Sequence, residues 1–439
     1  MNEETPHLFL HFDVNETILL GDPAGGDSVE ECVNKIIAKS AFVSTKSNNN
    51  CDDNDDHIRS QGGDIKGGAV IKRSPSSGNI GDTHQFEPTH WWNGEAIEDP
   101  TISAPPLHTG WEYPPDACPY YRTNFKKHAK RFTLSSHGQV YRPLYEEVCS
   151  KIGLDTSNVA GGECLDSSAS VFQNFLPAFW ITLMFYFPST LSYNNEMDLL
   201  SSLAKDRRLP PPPKVTLVLR TFGTDLPRVA AAISEFAKGN HPDYPNYRNE
   251  DLVLEDGDLY RSNWSYRKSS NDVKDELVYS LHRANDQESV TPIHSGDEDI
   301  LNFLQTKSIV GIQDNYPFWR DNNYAPWSGK PVWINTTVSG RKHHHVLLDD
   351  NIHNDPLDGA GGIRAVMNDE GDSSSKVCCY ESLPGGKALE LHGRHLIRVP
   401  TIRPTLEDDW FIKQIEMARW LTKYSKEKDC QKYTLQDSC

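Results

Sequence analysis

The hydrophobic and polar positions of this chain fall into short apolar runs that end in polar clusters, separated by stretches with the 3–4 spacing of helices. His7-Leu8-Phe9-Leu10-His11-Phe12 runs straight into Asp13-Val14-Asn15-Glu16-Thr17, and residues 7–20 read as a buried strand followed by a turn. Ser28 stands where it would cap a helix whose apolar face is Val29, Cys32, Ile36 and Ile37. Val215-Thr216-Leu217-Val218-Leu219-Arg220 suits a strand buried on both faces, ended by Thr221-Phe222-Gly223-Thr224. A helix capped by Asp225 follows, with Leu226, Val229, Ile233 and Phe236 on one face. Strand, loop and helix in that order are half of a parallel α/β unit. Further strands are predicted at Ser308-Ile309-Val310-Gly311-Ile312, at Val346-Leu347-Leu348 ahead of Asp349-Asp350, and at His395-Leu396-Ile397-Arg398-Val399, with an amphipathic closing helix over 405–427.

Between these elements the pattern changes. From 45 to 83 the chain is polar and glycine-rich, too poor in apolar area to offset its ordering entropy, and it is expected to be a disordered insertion. Residues 86–145 are rich in aromatics and prolines, which suggests irregular but packed structure. Residues 171–187 read as a buried helix and 194–206 as another, before the stiff linker Pro210-Pro211-Pro212-Pro213. The 351–375 stretch reads as acidic, glycine-rich surface loops, and no internal repeat is present. The fold class expected is α/β, a three-layer, Rossmann-like parallel sheet.

Composition narrows the partners. A net charge of -18 over 439 residues argues against nucleic acid and anionic membrane, both polyanions. It leaves room for a phosphorylated ligand, because a metal ion inverts the local field. The 171–187 window is broken by Gln173, Asn174 and Pro177 and is too short and polar for a comfortable membrane span. No apolar run begins at residue 1, so a secretory leader is not expected. The nine scattered cysteines read as reduced thiols of a cytoplasmic protein.

Three apolar strands thus end in polar sites: Asp13 to Thr17, Thr221, and Asp349-Asp350. In an open parallel sheet, strand ends of this kind converge at the ligand crevice. With these residues in this order the chain resembles the haloacid dehalogenase superfamily, whose members are mostly magnesium-dependent phosphohydrolases. Its first motif, a strand followed by Asp-x-Asp-x-Thr/Val, is matched by Asp13-Val14-Asn15-Glu16-Thr17. Its second, a strand ending in Ser or Thr, is matched by Thr221, and its fourth by Asp349-Asp350. For the third, a Lys or Arg ahead of the last catalytic strand, Lys330 is chosen over Lys307, Arg341 and Lys342.

The resemblance implies a core of residues 1–40, 166–239 and 326–439, with cap-like insertions at 41–165 and 240–325. It implies Asp13 as a nucleophile forming an aspartyl-phosphate, and Mg2+ held by Asp13, the Asn15 main-chain carbonyl, Asp349 and Asp350. Thr221 and Lys330 would hold the phosphoryl oxygens. The expected partner is a phosphorylated small molecule or phosphoprotein. Asn15 departs from the pattern: an amide can neither protonate a leaving group nor activate water. Glu16 or a cap residue such as His108 would have to supply that proton. The alternative is a weak or inactive relative that binds a phosphorylated ligand or a protein partner. His343-His344-His345 also invites a metal reading, but adjacent residues of a strand face opposite sides, so at most two could share a site. Gly359-Ala360-Gly361-Gly362 would be a flexible turn or a loop near the phosphate.

Overall fold

In the computed structural model, residues 6–21, 26–45, 88–97, 105, 107, 114–123, 126–154, 170–189, 210–267, 276–286, 291–335, 343–352, 362–368, 378–379 and 391–424 are described. The expected disorder at 45–83 and helix at 194–206, together with His108, Arg341, Lys342 and Gly359 to Gly361, lie essentially outside them.

The strands, in chain order, are β1 His7–Asp13, β2 Phe42–Ser44, β3 Ala117–Pro119, β4 Val215–Thr221, β5 Leu259–Arg267, β6 Glu276–Arg283, β7 His294–Ser295, β8 Ile309–Gln313, β9 Lys330–Asn335, β10 His343–Asp349, β11 Ile363–Asn368, β12 Cys378–Cys379 and β13 Leu396–Arg398. The helices are α1 Val29–Ser40, α2 Arg142–Lys151, α3 Pro177–Tyr186, α4 Leu226–Ala237, α5 Asp297–Thr306, α6 Tyr316–Asp321, α7 Ile402–Leu406 and α8 Trp410–Tyr424. Eight strands form one sheet in the order β13-β10-β1-β4-β8-β5-β6-β7. Neighbours from β13 to β5 run parallel, and β6 and β7 add antiparallel pairs at the edge. The architecture is α/β with a mostly parallel central sheet, compatible with a Rossmann-like fold. Strands β5 to β8, which fall within the stretch expected as a second insertion or cap, build one side of this sheet.

The two-residue alternation of β1 explains the layering. Leu8, Leu10 and Phe12 enter the larger core, together with Leu217, Leu219, Val346, Leu348 and the apolar faces of α1, α3, α4 and α8. Phe9 points the other way, toward Val218, Val310, Ile312 and the α5 residues Ile300, Phe303 and Leu304. A three-stranded sheet, β12-β11-β9, completes this second cover, its Val332, Ile334, Ile363 and Ala365 packing on Leu347 and Leu396. Pro177 opens α3 at a position where a missing N–H costs nothing, so the proline that interrupts the apolar run starts the helix. Ser28 caps α1 with a reciprocal Glu31 contact, as its position predicts. Among the described residues no helix is long and apolar enough to cross a membrane.

Strand order sets where a ligand crevice lies. From β1 the chain passes to β4 and β8 on one side, then returns across β1 to β10 and β13 on the other. The order therefore reverses between β1 and β10, and the crevice of such a sheet opens at the carboxyl ends of the strands beside that reversal. Asp13 and Asp349 are the last residues of these two adjacent strands.

Candidate functional site

The alternation that buries Phe9 and His11 on the second face puts Asp13 on that face too, and in β10 it does the same for Asp349 beyond His345 and Leu347. The small sheet covers this face, and its β9 begins with Lys330. The Lys330 ammonium donates to Asp13 Oδ1 at 2.5 Å and to Asp349 Oδ2 at 2.8 Å. Gly329 makes this approach possible: a Cβ there would stand 2.0 Å from the Gly362 carbonyl oxygen, which accepts the Lys330 N–H. All three side chains are nearly sealed from solvent. The third-motif choice is thus brought to Asp13, whereas Lys307 pairs with Asp258 near β5.

Carboxylate oxygens of Asp13, Asp349 and Asp350 lie within 4.8 Å of one another. Asp349 also accepts the Asn351 N–H, and the Asp350 N–H donates to the Thr17 hydroxyl, which itself reaches Asp13 Oδ2 at 3.5 Å. Burial pushes the Asp13 carboxyl well above the ordinary range; Asp349 and Asp350 add to this, and Lys330 only partly opposes it. Burial likewise raises Asp350, to about 6, against the pull of Lys39. Lys330 is itself disfavoured by burial, yet Asp13 and Asp349 hold its ammonium above the usual lysine value. Asp13 and Asp349 share the Lys330 ammonium, and Asp350 shares Lys39 with Glu16, so carboxylates outnumber the ammonium groups beside them, which is the condition a divalent cation meets.

Thr221 ends β4 directly beside β1, one residue beyond Arg220, the register partner of Asp13. It falls on the opposite alternation from Arg220, and its hydroxyl accepts the Gly223 N–H at 2.8 Å. Around the missing Cβ of Gly223 gather Asp225 Oδ2, Asn15 Nδ2 and Thr221 Oγ1, at 2.7, 3.1 and 3.3 Å. Any side chain at 223 would displace this cluster. Asp225 occupies the cap position of α4, but its carboxylate makes no capping hydrogen bond and instead accepts from the Asn15 amide at 3.1 Å. The expected helix cap is therefore a partner of the one motif residue that departs from the pattern.

Glu16 does not serve the proton role suggested for it. Its φ of 59° is rare for a residue with a side chain and marks a strained turn. Its carboxylate is held by Lys35 and Lys39. Burial favours protonation, but these two ammonium groups hold Glu16 below its ordinary value. Lys39 goes on to Asp350 at 3.0 Å, so α1 is tied to the end of β10. The three consecutive histidines divide between faces, as strand geometry requires. His344 faces the Arg394 carbonyl and Thr422, while His345 meets His11 at 2.9 Å and stacks on Phe9. Neither belongs to the carboxylate cluster.

Two residues that carry the site escaped the sequence reading. Arg220, fully buried, donates through Nε and Nη2 to Asp314 at 2.9 and 2.6 Å and through Nη1 to the Pro331 carbonyl. It thereby pins β9, and with it Lys330, onto the central sheet. The available signal was the charge itself: an arginine ending an apolar strand is buried only if paired. Phe222 is the other; the Lys330 ammonium stands 5.0 Å over its ring, which stacks on Trp319.

Comparison with protein-family models, with curated proteins and with solved structures found no match.

Proposed function

We propose that this chain is a magnesium-dependent phosphohydrolase of the haloacid dehalogenase type, acting on a phosphorylated small molecule or phosphoprotein, with Asp13 as nucleophile. The observation that carries this reading is the meeting of Asp13, Asp349, Asp350 and Lys330 at the carboxyl ends of the two strands flanking the sheet reversal. Asp13, Asp349 and Asp350, with the Asn15 main-chain carbonyl, would hold the cation, which would neutralise the phosphoryl oxygens and keep the Asp13 carboxylate ionised despite its burial.

The remaining steps belong to the chain. An Asp13 oxygen attacks phosphorus, the bond from phosphorus to the ester oxygen breaks, and the leaving group departs as its oxyanion, taking its proton from solvent, as an acyl phosphate forms on Asp13. Water then splits that acyl phosphate, returning the carboxylate and releasing inorganic phosphate. Lys330 moves from the Asp13–Asp349 pair to the phosphoryl oxygens, and Thr17 keeps Asp13 oriented through Oδ2. Asn15 transfers no proton, because a carboxamide neither gives up nor takes one at working pH; its amide instead donates a hydrogen bond to Asp225. Turnover is therefore slow and favours leaving groups stable as anions, so aryl phosphates outpace alkyl phosphates.

The same amide favours a second reading, a weak or inactive relative that binds a phosphorylated ligand or a protein partner. Magnesium-dependent hydrolysis of an aryl phosphate by the natural chain and by Asp13→Asn separates the two. Activity lost with Asp13 supports the enzyme; activity unchanged by Asp13→Asn, or absent from the natural chain, removes it.

A further inference from the structure

A set of aromatic rings stands beside the carboxylate centre. Phe222 directly follows Thr221, the last residue of β4, and Tyr316, Trp319 and Tyr324 belong to α6 and the turn after it, beyond the end of β8. β4 and β8 follow β1 in the sheet and run parallel to it, so these rings and Asp13 come from the same carboxyl end. Phe222 and Trp319 stack with centroids 4.6 Å apart and planes 2° apart, and Tyr316 and Tyr324 meet the Trp319 ring at steep angles, at 6.2 and 5.0 Å. Two contacts tie the cluster to the candidate site. The Lys330 ammonium, which donates to Asp13, lies 5.0 Å over the Phe222 ring. The Trp319 indole lies against Gly362, where a Cβ would stand 2.8 Å from its Cζ2, and the Gly362 carbonyl accepts the Lys330 N–H.

The rings grade from floor to rim: Phe222 and Trp319 are half-buried, whereas Tyr316 and Tyr324 are 39% and 48% exposed. The arrangement is locally unfavourable. Asn323 and Tyr324 have φ of 56° and 57°, left-handed values that residues with side chains rarely adopt, and the Trp319 indole N–H is buried with no hydrogen-bond acceptor. Strain gathered at the mouth of a crevice points to a use beyond packing. The chemistry at Asp13 calls for a matching partner. With no proton carrier at position 15, the leaving oxygen departs as an anion, and a phenolate does so more readily than an alkoxide. Resting on the phosphohydrolase reading, we propose that Phe222, Tyr316, Trp319 and Tyr324 form a shelf that receives the aromatic ring of an aryl phosphate monoester whose phosphoryl group reaches Asp13. The substrate class is then an aryl phosphate, its ring belonging to a small phenol or to a tyrosine side chain. Tyr316 and Tyr324 hold the ring at the rim, and Phe222 steadies Lys330 beside the phosphoryl oxygens.

The test is binding by calorimetry to the full chain with magnesium, using phosphonates, which cannot be hydrolysed and so report the shelf apart from the leaving group. Benzylphosphonate binds about tenfold or more tightly than propylphosphonate, and more tightly than cyclohexylmethylphosphonate, which has similar bulk without a π face. Tyr316→Ala and Tyr324→Ala each remove part of that advantage and the double variant most of it, while propylphosphonate stays within about twofold of its original Kd, which also shows that the variants fold. A peptide carrying phosphonomethyl-phenylalanine separates the two sources: binding tighter than that of benzylphosphonate assigns the ring to a phosphotyrosine side chain, and binding no tighter assigns it to a small aryl phosphate. If propylphosphonate binds but benzylphosphonate gains nothing over it or over the cyclohexyl ligand, or the gain survives in the double variant, the shelf is overturned and the phosphohydrolase reading stands. If no phosphonate binds, that reading fails, and the shelf fails with it.

Discussion

Asn15→Asp is the most informative perturbation, because the structure shows what the new carboxylate would face. The Asn15 amide nitrogen lies 3.1 Å from Asp225 Oδ2, so the substitution sets two carboxylates at about that separation. Unit charges 3.1 Å apart repel by about 5 kcal/mol at an effective dielectric of about 20, and by about 1 kcal/mol at that of water. That range corresponds to raising the upper apparent pKa of the pair by roughly 1–4 units. The two groups then titrate together and hold one proton between them toward neutral pH. A carboxyl kept protonated there is the group the leaving oxygen lacks in the natural chain. Hydrolysis of alkyl phosphates is expected to rise by about a hundredfold in Asn15→Asp, and to fall away as pH climbs through the pair's upper value. Stability carries the same signature. A folded-state carboxyl raised above its unfolded value of about 3.9 makes the folded chain bind more protons, so stability is present at low pH and lost as pH rises through that window. Against the natural chain, Asn15→Asp should lose about 1–5 kcal/mol near pH 8 and little near pH 4, measured by urea denaturation. Adding Asp225→Asn should abolish that pH dependence. A stability difference that is the same at both pH values would refute the contact, and a titrating pair without faster alkyl turnover would refute the proton role.

Other outcomes follow from the same geometry. Asp13→Asn should bring magnesium-dependent aryl phosphatase activity to background, measured as initial rates, while circular dichroism remains that of the folded chain. Lys330→Met leaves Asp13 and Asp349 buried without their shared ammonium and should cost about 3–5 kcal/mol in urea, part of it restored by millimolar magnesium; a loss below about 1 kcal/mol would contradict the pairing. Burial holds the His11 and His345 imidazoles well below their ordinary value. Unfolding lets them take up protons, so their share of stability is present above about pH 6.5 and is lost as pH falls, by about 1.4 kcal/mol per pH unit for each. The raised carboxyls of Asp13 and Asp350 act in the opposite sense, so the quantity to measure is the difference between His345→Phe and the natural chain from near pH 7.5 to near pH 5; a constant difference would contradict it.

The parallel strands were legible because runs such as 8–12, 215–219 and 346–348 are continuous enough to be buried on both faces. The same strand period explains why Asp13 and Asp349 meet on one face. Lys330 was found by its place ahead of β10, but the reason it reaches Asp13 was not legible: it sits on a separate small sheet, paired through Gly362, and nothing local to residues 328–331 encodes that layer. Asp225 illustrates the converse. Its position before an apolar helical face made a cap the natural assignment, yet the competing Asn15 amide comes from 210 residues away in sequence. The stretch 240–325 read as an insertion because its polar and aromatic positions hide strand pairing. β5 to β7 lie on the sheet's outer side, and the exposed end of β5, from Ser265 to Arg267, does not need the unbroken apolar run of β1 or β4.

The central claim is that Asp13 takes the phosphoryl group. Without a proton-carrying residue at position 15, breakdown of the aspartyl-phosphate is expected to be slow, so the intermediate should accumulate. The direct measurement is acid quenching of the natural chain with an aryl phosphate and magnesium, followed by peptide mass spectrometry. One phosphoryl group is predicted on the peptide containing Asp13, absent without magnesium and absent in Asp13→Asn. Phosphoryl transfer to another residue, or burst release of the aryl alcohol with Asp13 unmodified, would contradict the account.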